Sequence, residues 1–293
     1  MIAVLLLLQV ATATAAPPRQ PAGAAIKATR MEMRMTMVTG ENAADSGEVL
    51  MRNVMTIRGD SVRTDADASL AASLMMGGSG SYTVTHDGAR TVFGVDTVKR
   101  EYWEIDAAQI AEDLEDAVSS LEEMPFRFSD VSSNVEELGP GETIEGYATT
   151  HWRYTQKMTM KMKMALPGMP GDMRMEQVTD LYYSPELTKI MSPGSSKPVM
   201  GDVKPGKDLP FLDSAATAAI TSARAKLPMT IPIRSLERTT TIAGPVKATK
   251  TTITEIRGIA TIEVPALFFA IPAGYKKVEM PEAEPFGGGA SPR

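Results

Sequence analysis

The side chains of this chain that could do chemistry are thioethers. Methionine occupies every second position of two runs, which are Met31, Met33, Met35 and Met37, and Met158, Met160, Met162 and Met164. Thioether sulfur is a soft ligand that selects Cu(I), so the second run is a candidate copper site. Side chains two residues apart on one strand are separated by about 6.6 Å at the backbone, so such a site needs donors that converge from neighbouring strands.

The same runs could instead line an apolar cavity. Methionine has three rotatable bonds and a polarizable sulfur, so it repacks around chains of varying shape. The run from Met31 to Met37 covers roughly 20 Å of strand, which suits an acyl chain or a layer of the core. The sequence leaves open whether the methionines line a cavity that holds a ligand or fill the core themselves.

Residues for catalysis do not form a recognisable pattern. The chain has no cysteine, no Gly-x-Ser-x-Gly elbow and no glycine-rich loop for a phosphate. Its two histidines, His86 and His151, lie in a predicted turn and a predicted strand without other metal ligands at a suitable spacing. We therefore predict a protein that is not an enzyme and has no cofactor.

Composition and the apolar first residues predict an exported protein. Residues 1–15 combine an apolar run with an Ala-x-Ala site, as in a secretory signal peptide, and we expect a periplasmic or secreted mature chain without a transmembrane segment. A Pro- and Ala-rich tether is expected over 16–25, a single domain over 26–280 and a disordered tail over 281–293. The net charge of -6 argues against nucleic-acid binding, which normally requires a basic face.

The elements that must position the methionines are strands. Period two puts the methionines of each run on one face of a strand and polar residues on the other. Further alternating segments predict a mostly antiparallel sheet, including a hairpin at Asp87-Gly88, a long ribbon from Ile144 to Ala165 and a closing strand from Thr261 to Ile271. Apolar residues at spacings of three and four predict a helix over 106–123, small residues predict a second over 213–227, and 192–210 is predicted to be a surface loop.

Four segments resemble an uncharacterised family of exported bacterial proteins whose fold is similar to the LolA and LolB lipoprotein carriers. They are Gly59-Asp60-Ser61-Val62-Arg63, the Asp87-Gly88 hairpin running to Tyr102, Gly141-Glu142-Thr143-Ile144-Glu145-Gly146-Tyr147, and Phe269-Ala270-Ile271-Pro272-Ala273-Gly274-Tyr275. The resemblance spans roughly Ile26 to Val278. It implies an α+β fold, a curved antiparallel half-barrel with two helices covering its concave face, which in the carriers holds acyl chains. No functional residue of the carriers matches a position here.

These observations lead to three hypotheses about function. The first is non-enzymatic binding of a hydrophobic ligand, such as an acyl chain or a lipoprotein tail, in a concavity lined by both methionine runs. The second is an envelope module for protein interaction or sensing, whose core is filled by its own side chains. The third is Cu(I) binding through Met158, Met160, Met162 and Met164.

Overall fold

The computed structural model describes residues 25–39, 47–66, 81–86, 91–105, 126–162, 172–191, 212, 214–228 and 230–280. Met164 lies outside these residues, as do the turn at Asp87-Gly88 and the predicted signal peptide. The helix predicted over 106–123, the loop predicted over 192–210 and the tail over 281–293 also lie outside them.

The described residues form one sheet of 12 strands. Alternation of apolar and polar residues, together with many Val, Thr and aromatic side chains, favours extended backbone along most of its length. The strands are β1 Ala25–Thr39, β2 Glu48–Arg58, β3 Ser61–Ala66, β4 Ser81–His86, β5 Thr91–Asp96, β6 Glu101–Ile105, β7 Phe126–Pro140, β8 Thr150–Met162, β9 Asp172–Tyr183, β10 Arg234–Ala243, β11 Val246–Pro265 and β12 Lys276–Lys277.

The strand order across the sheet is β12-β6-β5-β4-β3-β2-β1-β11-β10-β9-β8-β7. All neighbours are antiparallel except β12, which runs parallel to β6. This confirms the prediction of a mostly antiparallel sheet. The pairing of His86 with Thr91 also confirms that β4 and β5 form the predicted hairpin.

Two α-helices occur among the described residues, α1 at Pro185–Met191 and α2 at Ser214–Arg224. The core cluster that contains Leu187 of α1 also contains Ile233 and Ile256. The cluster that contains Ala223 of α2 also contains Leu181. Ile256 and Leu181 point to the same side of the sheet. Thr254, two residues from Ile256 on β11, pairs with Ser235 of β10, and Ser235 pairs with Leu181 of β9. We call this side the helical face.

The other side, here called the reverse face, has a core of its own near β4 and β5. Met55 of β2 lies on the helical face, so its neighbour Thr56 points to the reverse face. Arg63 of β3 pairs with Thr56 and therefore also lies on the reverse face. Its guanidinium carbon lies 3.6 Å from the ring centroid of Tyr82 and 4.4 Å from that of Phe268. Phe268 belongs to a short 3-10 helix, Ala266–Phe269. The guanidinium therefore ties this helix to the sheet through cation–π contacts.

Several predicted boundaries differ from the observed ones. Helix α2 confirms the helix predicted over 213–227, whereas α1 was not predicted. The ribbon predicted from Ile144 begins as a strand only at Thr150, because residues Ile144 and Tyr147 form an isolated bridge within a loop. The closing strand was predicted to reach Ile271, but β11 ends at Pro265 and the chain then turns into the 3-10 helix.

Candidate ligand-binding site

The described methionines of both runs lie on the helical face. Residues directly opposite each other on paired strands share a face. Met35 pairs with Thr254, Thr254 with Ser235, Ser235 with Leu181, and Leu181 with Trp152. Met33 and Ile256, one pair along the same strands, share that face, and so does Met158, which lies an even number of residues beyond Trp152 on β8.

The two runs are nevertheless separate on that face. Four strand spacings, or about 19 Å, lie between β1 and β8. The rows between Met37 and Met158 carry polar side chains on the helical face: Gln156 of β8, Gln177 of β9, Glu237 and Thr239 of β10, and Thr252 of β11. The structure therefore gives two methionine clusters on one face, not one continuous apolar stripe.

The first cluster joins the β1 run to β2. Met31 pairs with Met55 and Met35 pairs with Met51, while Met33 pairs with Asn53. Met31 is fully enclosed at 0% exposure, whereas Met33, Met35 and Met37 are half-buried. The buried Asn53 Oδ1 has no hydrogen-bond partner among the described residues. Met31 thus fills the core under α1, and the other methionines of the run are partly accessible.

The second cluster joins the β8 run to β9. Met158 pairs with Met175, Met160 pairs with Met173, and Met162 pairs with Phe126 of β7. Met158, Met160 and Met162 are half-buried, as are Met173 and Met175. Met173 and Met175 are not among the predicted site residues, although their own period-two spacing was a visible signal in the sequence.

A cavity of about 480 Å³ lies on the helical face beside α1. Trp152, Tyr183, Pro185 and Pro228 supply its apolar walls, and Thr150, Thr188, Thr230, Glu137 and Lys189 supply its polar groups. Its volume is in the range of small-molecule sites, which are typically apolar with a few polar groups that orient the ligand. None of the seven predicted methionines that the structure describes lines this cavity.

Local chemistry explains how the chain builds this cavity. Ser184 caps α1, because its Oγ accepts a hydrogen bond of 3.3 Å from the backbone N–H of Leu187. Pro185 takes the first helical position, where its missing N–H costs nothing. Leu187 then packs into the core at 1% exposure, which leaves Thr188 and Lys189 on the cavity side of the helix. Lys189 is exposed and lies in the last turn of α1.

The cavity has an uncharged aromatic wall and two charged side chains among its lining residues. Burial raises the pKa of the Tyr183 hydroxyl to about 12, so this wall is uncharged at neutral pH. The exposed Lys189 places a cationic group among the lining residues, and Glu137 places an anionic one there. An apolar chain can therefore lie against Trp152 and the prolines while a polar head group meets the charged side chains.

Two histidine contacts offer other chemistry. His86 Nδ1 lies 3.3 Å from Ser61 Oγ, beside a cavity of about 400 Å³ that Arg58 also lines. A serine nucleophile needs a histidine oriented by a third group, and within the described residues no carboxylate contacts His86. His151 Nε2 lies 2.8 Å from Asp180 Oδ1 on the reverse face, where Asp180 also pairs with Arg153. This second contact joins His151 to the ion pair of Arg153 and Asp180.

The described part of the chain contains no group of three or more His, Cys, Asp or Glu side chains that could hold a metal ion. In that same part, neither helix has the length and apolar character needed to span a bilayer.

Comparison of the sequence with models of known protein families finds no match, and comparison with curated proteins finds none either. The fold and the site together define an open antiparallel sheet whose helical face carries an apolar cavity. The similarity to the LolA and LolB carriers stays a prediction.

Proposed function

We propose that this protein binds an amphiphilic ligand with an acyl chain, such as a fatty acid or a lipoprotein tail, on the helical face of its sheet. The observation that carries the proposal is the cavity of about 480 Å³ beside α1, with Trp152 in its wall and Lys189 among its polar groups. The ligand is bound without a reaction, in an exported protein whose sheet curves as the resemblance to the carriers implies.

The magnitude of the hydrophobic effect supports reversible capture. Each buried methylene contributes about 0.8 kcal/mol, so ten would contribute roughly 8 kcal/mol before the cost of ordering the chain. The half-buried Met33, Met35 and Met37 lie on the same face as the cavity, four strands away from Trp152, and form a second, separate apolar surface. Their flexible side chains accommodate acyl chains of different shape.

Titration of the purified chain with a fluorescent fatty acid tests this function. Trp152→Ala removes an aromatic wall of the cavity, and we expect about tenfold weaker binding. Val246→Ala is the matched control, because Val246 is apolar, 61% exposed and remote from the lining residues. Equal affinity of the Trp152 variant and the parent chain, or no binding by the parent chain, would contradict the proposal.

Substitution of Lys189 distinguishes recognition of the ligand's head group from burial of its acyl chain. Lys189→Met should weaken binding of a fatty acid but leave binding of the fatty alcohol of equal length unchanged, since only the acid carries a carboxylate. Lys247→Met on the exposed start of β11 is the control for loss of charge. If both ligands lose affinity equally, Lys189 contributes packing instead of charge recognition.

A protein-interaction module is the second candidate, and the full enclosure of Met31 favours it. Methionine there fills the core itself, as the hypothesis of a filled interior requires. Proximity labelling in the periplasm should then recover one consistent protein partner, and a diffuse background would count against this function.

A further inference from the structure

Four of the five methionines of β8 and β9 form a compact group of soft ligands in the described part of the chain. Met158 pairs directly with Met175, and the next pair on the same face is Met160 with Met173. Opposite side chains have Cβ atoms about 4.5–5.5 Å apart, and consecutive pairs on one face are about 6.6 Å apart. Flexible side chains can bring four sulfurs from such a rectangle to one point.

The first methionine cluster lacks this arrangement. Its pairs Met31–Met55 and Met35–Met51 are interrupted by the Met33–Asn53 pair, so they are not consecutive. Met31 is also fully enclosed, whereas Met158, Met160, Met173 and Met175 are half-buried and therefore partly exposed to solvent. The two clusters therefore differ in geometry although both contain methionine at period two.

We propose that Met158, Met160, Met173 and Met175 together bind one Cu(I) ion. Neutral thioethers select soft, monovalent ions and discriminate against Zn²⁺, Mg²⁺ and Ca²⁺, which prefer imidazole, thiolate or oxygen ligands. The donors come from two neighbouring strands, β8 and β9. The methionines of β8 alone follow each other along one strand, so they cannot surround one ion. The pair Gln156–Gln177 lies between this site and the cavity, and the site does not depend on the proposed acyl ligand.

Competition with a chromophoric Cu(I) chelator, under reducing conditions and with the full chain, tests the site. The parent chain should withdraw one equivalent of Cu(I) from the chelator. The variant with Met158, Met160, Met173 and Met175 all changed to Leu should withdraw none. Leucine conserves the volume and apolar character of methionine, so this variant should fold and still bind the fluorescent fatty acid.

A matched control uses the other cluster. Met35→Leu, Met37→Leu and Met51→Leu, combined in one chain, remove thioethers from the same face and should leave Cu(I) withdrawal unchanged. Ag(I), which needs no reductant, should shift the ε-methyl NMR signals of the four proposed ligands but not those of Met35 and Met37. Failure of the parent chain to withdraw Cu(I), retained withdrawal in the β8–β9 variant, or equal loss in the control variant would each overturn the proposal.

Discussion

The indole ring of Trp103 occupies the space above Gly94 on the neighbouring strand. The two residues are directly paired between β5 and β6, and Trp103 is only 3% exposed. A Cβ atom built on Gly94 would lie 2.1 Å from Trp103 Cε2, a separation that no side chain can adopt. Packing of this aromatic ring, not a turn or an unusual backbone angle, requires glycine at this position.

Gly94→Ala should lower the free energy of unfolding by about 2–3 kcal/mol, because the added methyl group forces a rigid, buried ring to move. Urea denaturation measures this loss. In a Trp103→Val background the same change should cost less than about 1 kcal/mol, since the clashing atoms are gone. Equal costs in the two backgrounds would contradict the packing explanation.

The hydroxyl of Ser184 stabilises the start of α1. Ser184→Ala should lower the free energy of unfolding by about 1 kcal/mol, because the N–H of Leu187 loses its acceptor. Thermal or urea denaturation provides the measurement. Ser214→Ala, at the exposed first residue of α2, is the control and should change stability by less than about 0.5 kcal/mol. Similar effects at both positions would argue against the cap.

Core and surface methionines of one run should respond differently to truncation. Met31→Ala removes a side chain at 0% exposure and should cost about 2–5 kcal/mol of unfolding free energy, since it leaves a cavity under α1. Met37→Ala removes a half-buried side chain and should cost about 1 kcal/mol or less. Equilibrium denaturation of both variants measures the loss of unfolding free energy. Equal losses would contradict the distinction between Met31, which fills the core, and Met37, which is partly accessible.

The hydroxyl of Tyr183 makes stability depend on pH in the alkaline range. Burial raises its pKa from 10.0 to about 12, so the folded state favours the protonated form. This contribution is complete below pH 10.0 and is lost as pH rises towards about 12, because the unfolded state ionises first. The phenolate absorbance of the parent chain should contain a late transition that Tyr183→Phe lacks.

Stability measurements provide a second test of the same group. The parent chain should lose more unfolding free energy than Tyr183→Phe between pH 10.0 and about 12. Tyr102→Phe, at a half-buried tyrosine of β6, is the comparison variant. If Tyr183→Phe and the parent chain decline in parallel, the hydroxyl of Tyr183 is not responsible.

Local sequence patterns predicted most strands because alternation is a property of each segment by itself. They missed α1, which has only seven residues and directly follows a strand. The signal was present, since Ser184 and Pro185 are a favoured helix start and Leu187, Ile190 and Met191 have helical spacing. In the sequence, Val49 alternates with Met51, a spacing that indicates a shared face. Instead it pairs with Thr36 after a register shift and is 42% exposed, and only the partner strand determines that shift.

The candidate sites depend on relationships between distant segments. The shared face of the two methionine runs follows from the register of the pairs that link β1 to β8 through β11, β10 and β9. The cavity arises where Trp152, Pro185 and Pro228 meet, and no short motif connects these residues. The methionine runs are therefore visible in the sequence, whereas the apolar cavity is visible only in the assembled sheet.

Strand β11 holds the two halves of the sheet together, because β1 pairs with one of its edges and β10 with the other. Before Val246–Pro265 is added, the remaining strands can build only two separate ladders, one ending at β1 and one ending at β10. Each ladder then presents a row of unpaired peptide groups, a ready template for aggregation. Pairing with β11 therefore covers an exposed edge of both ladders at once, and a chain that lacks this strand should self-associate more readily than the complete one.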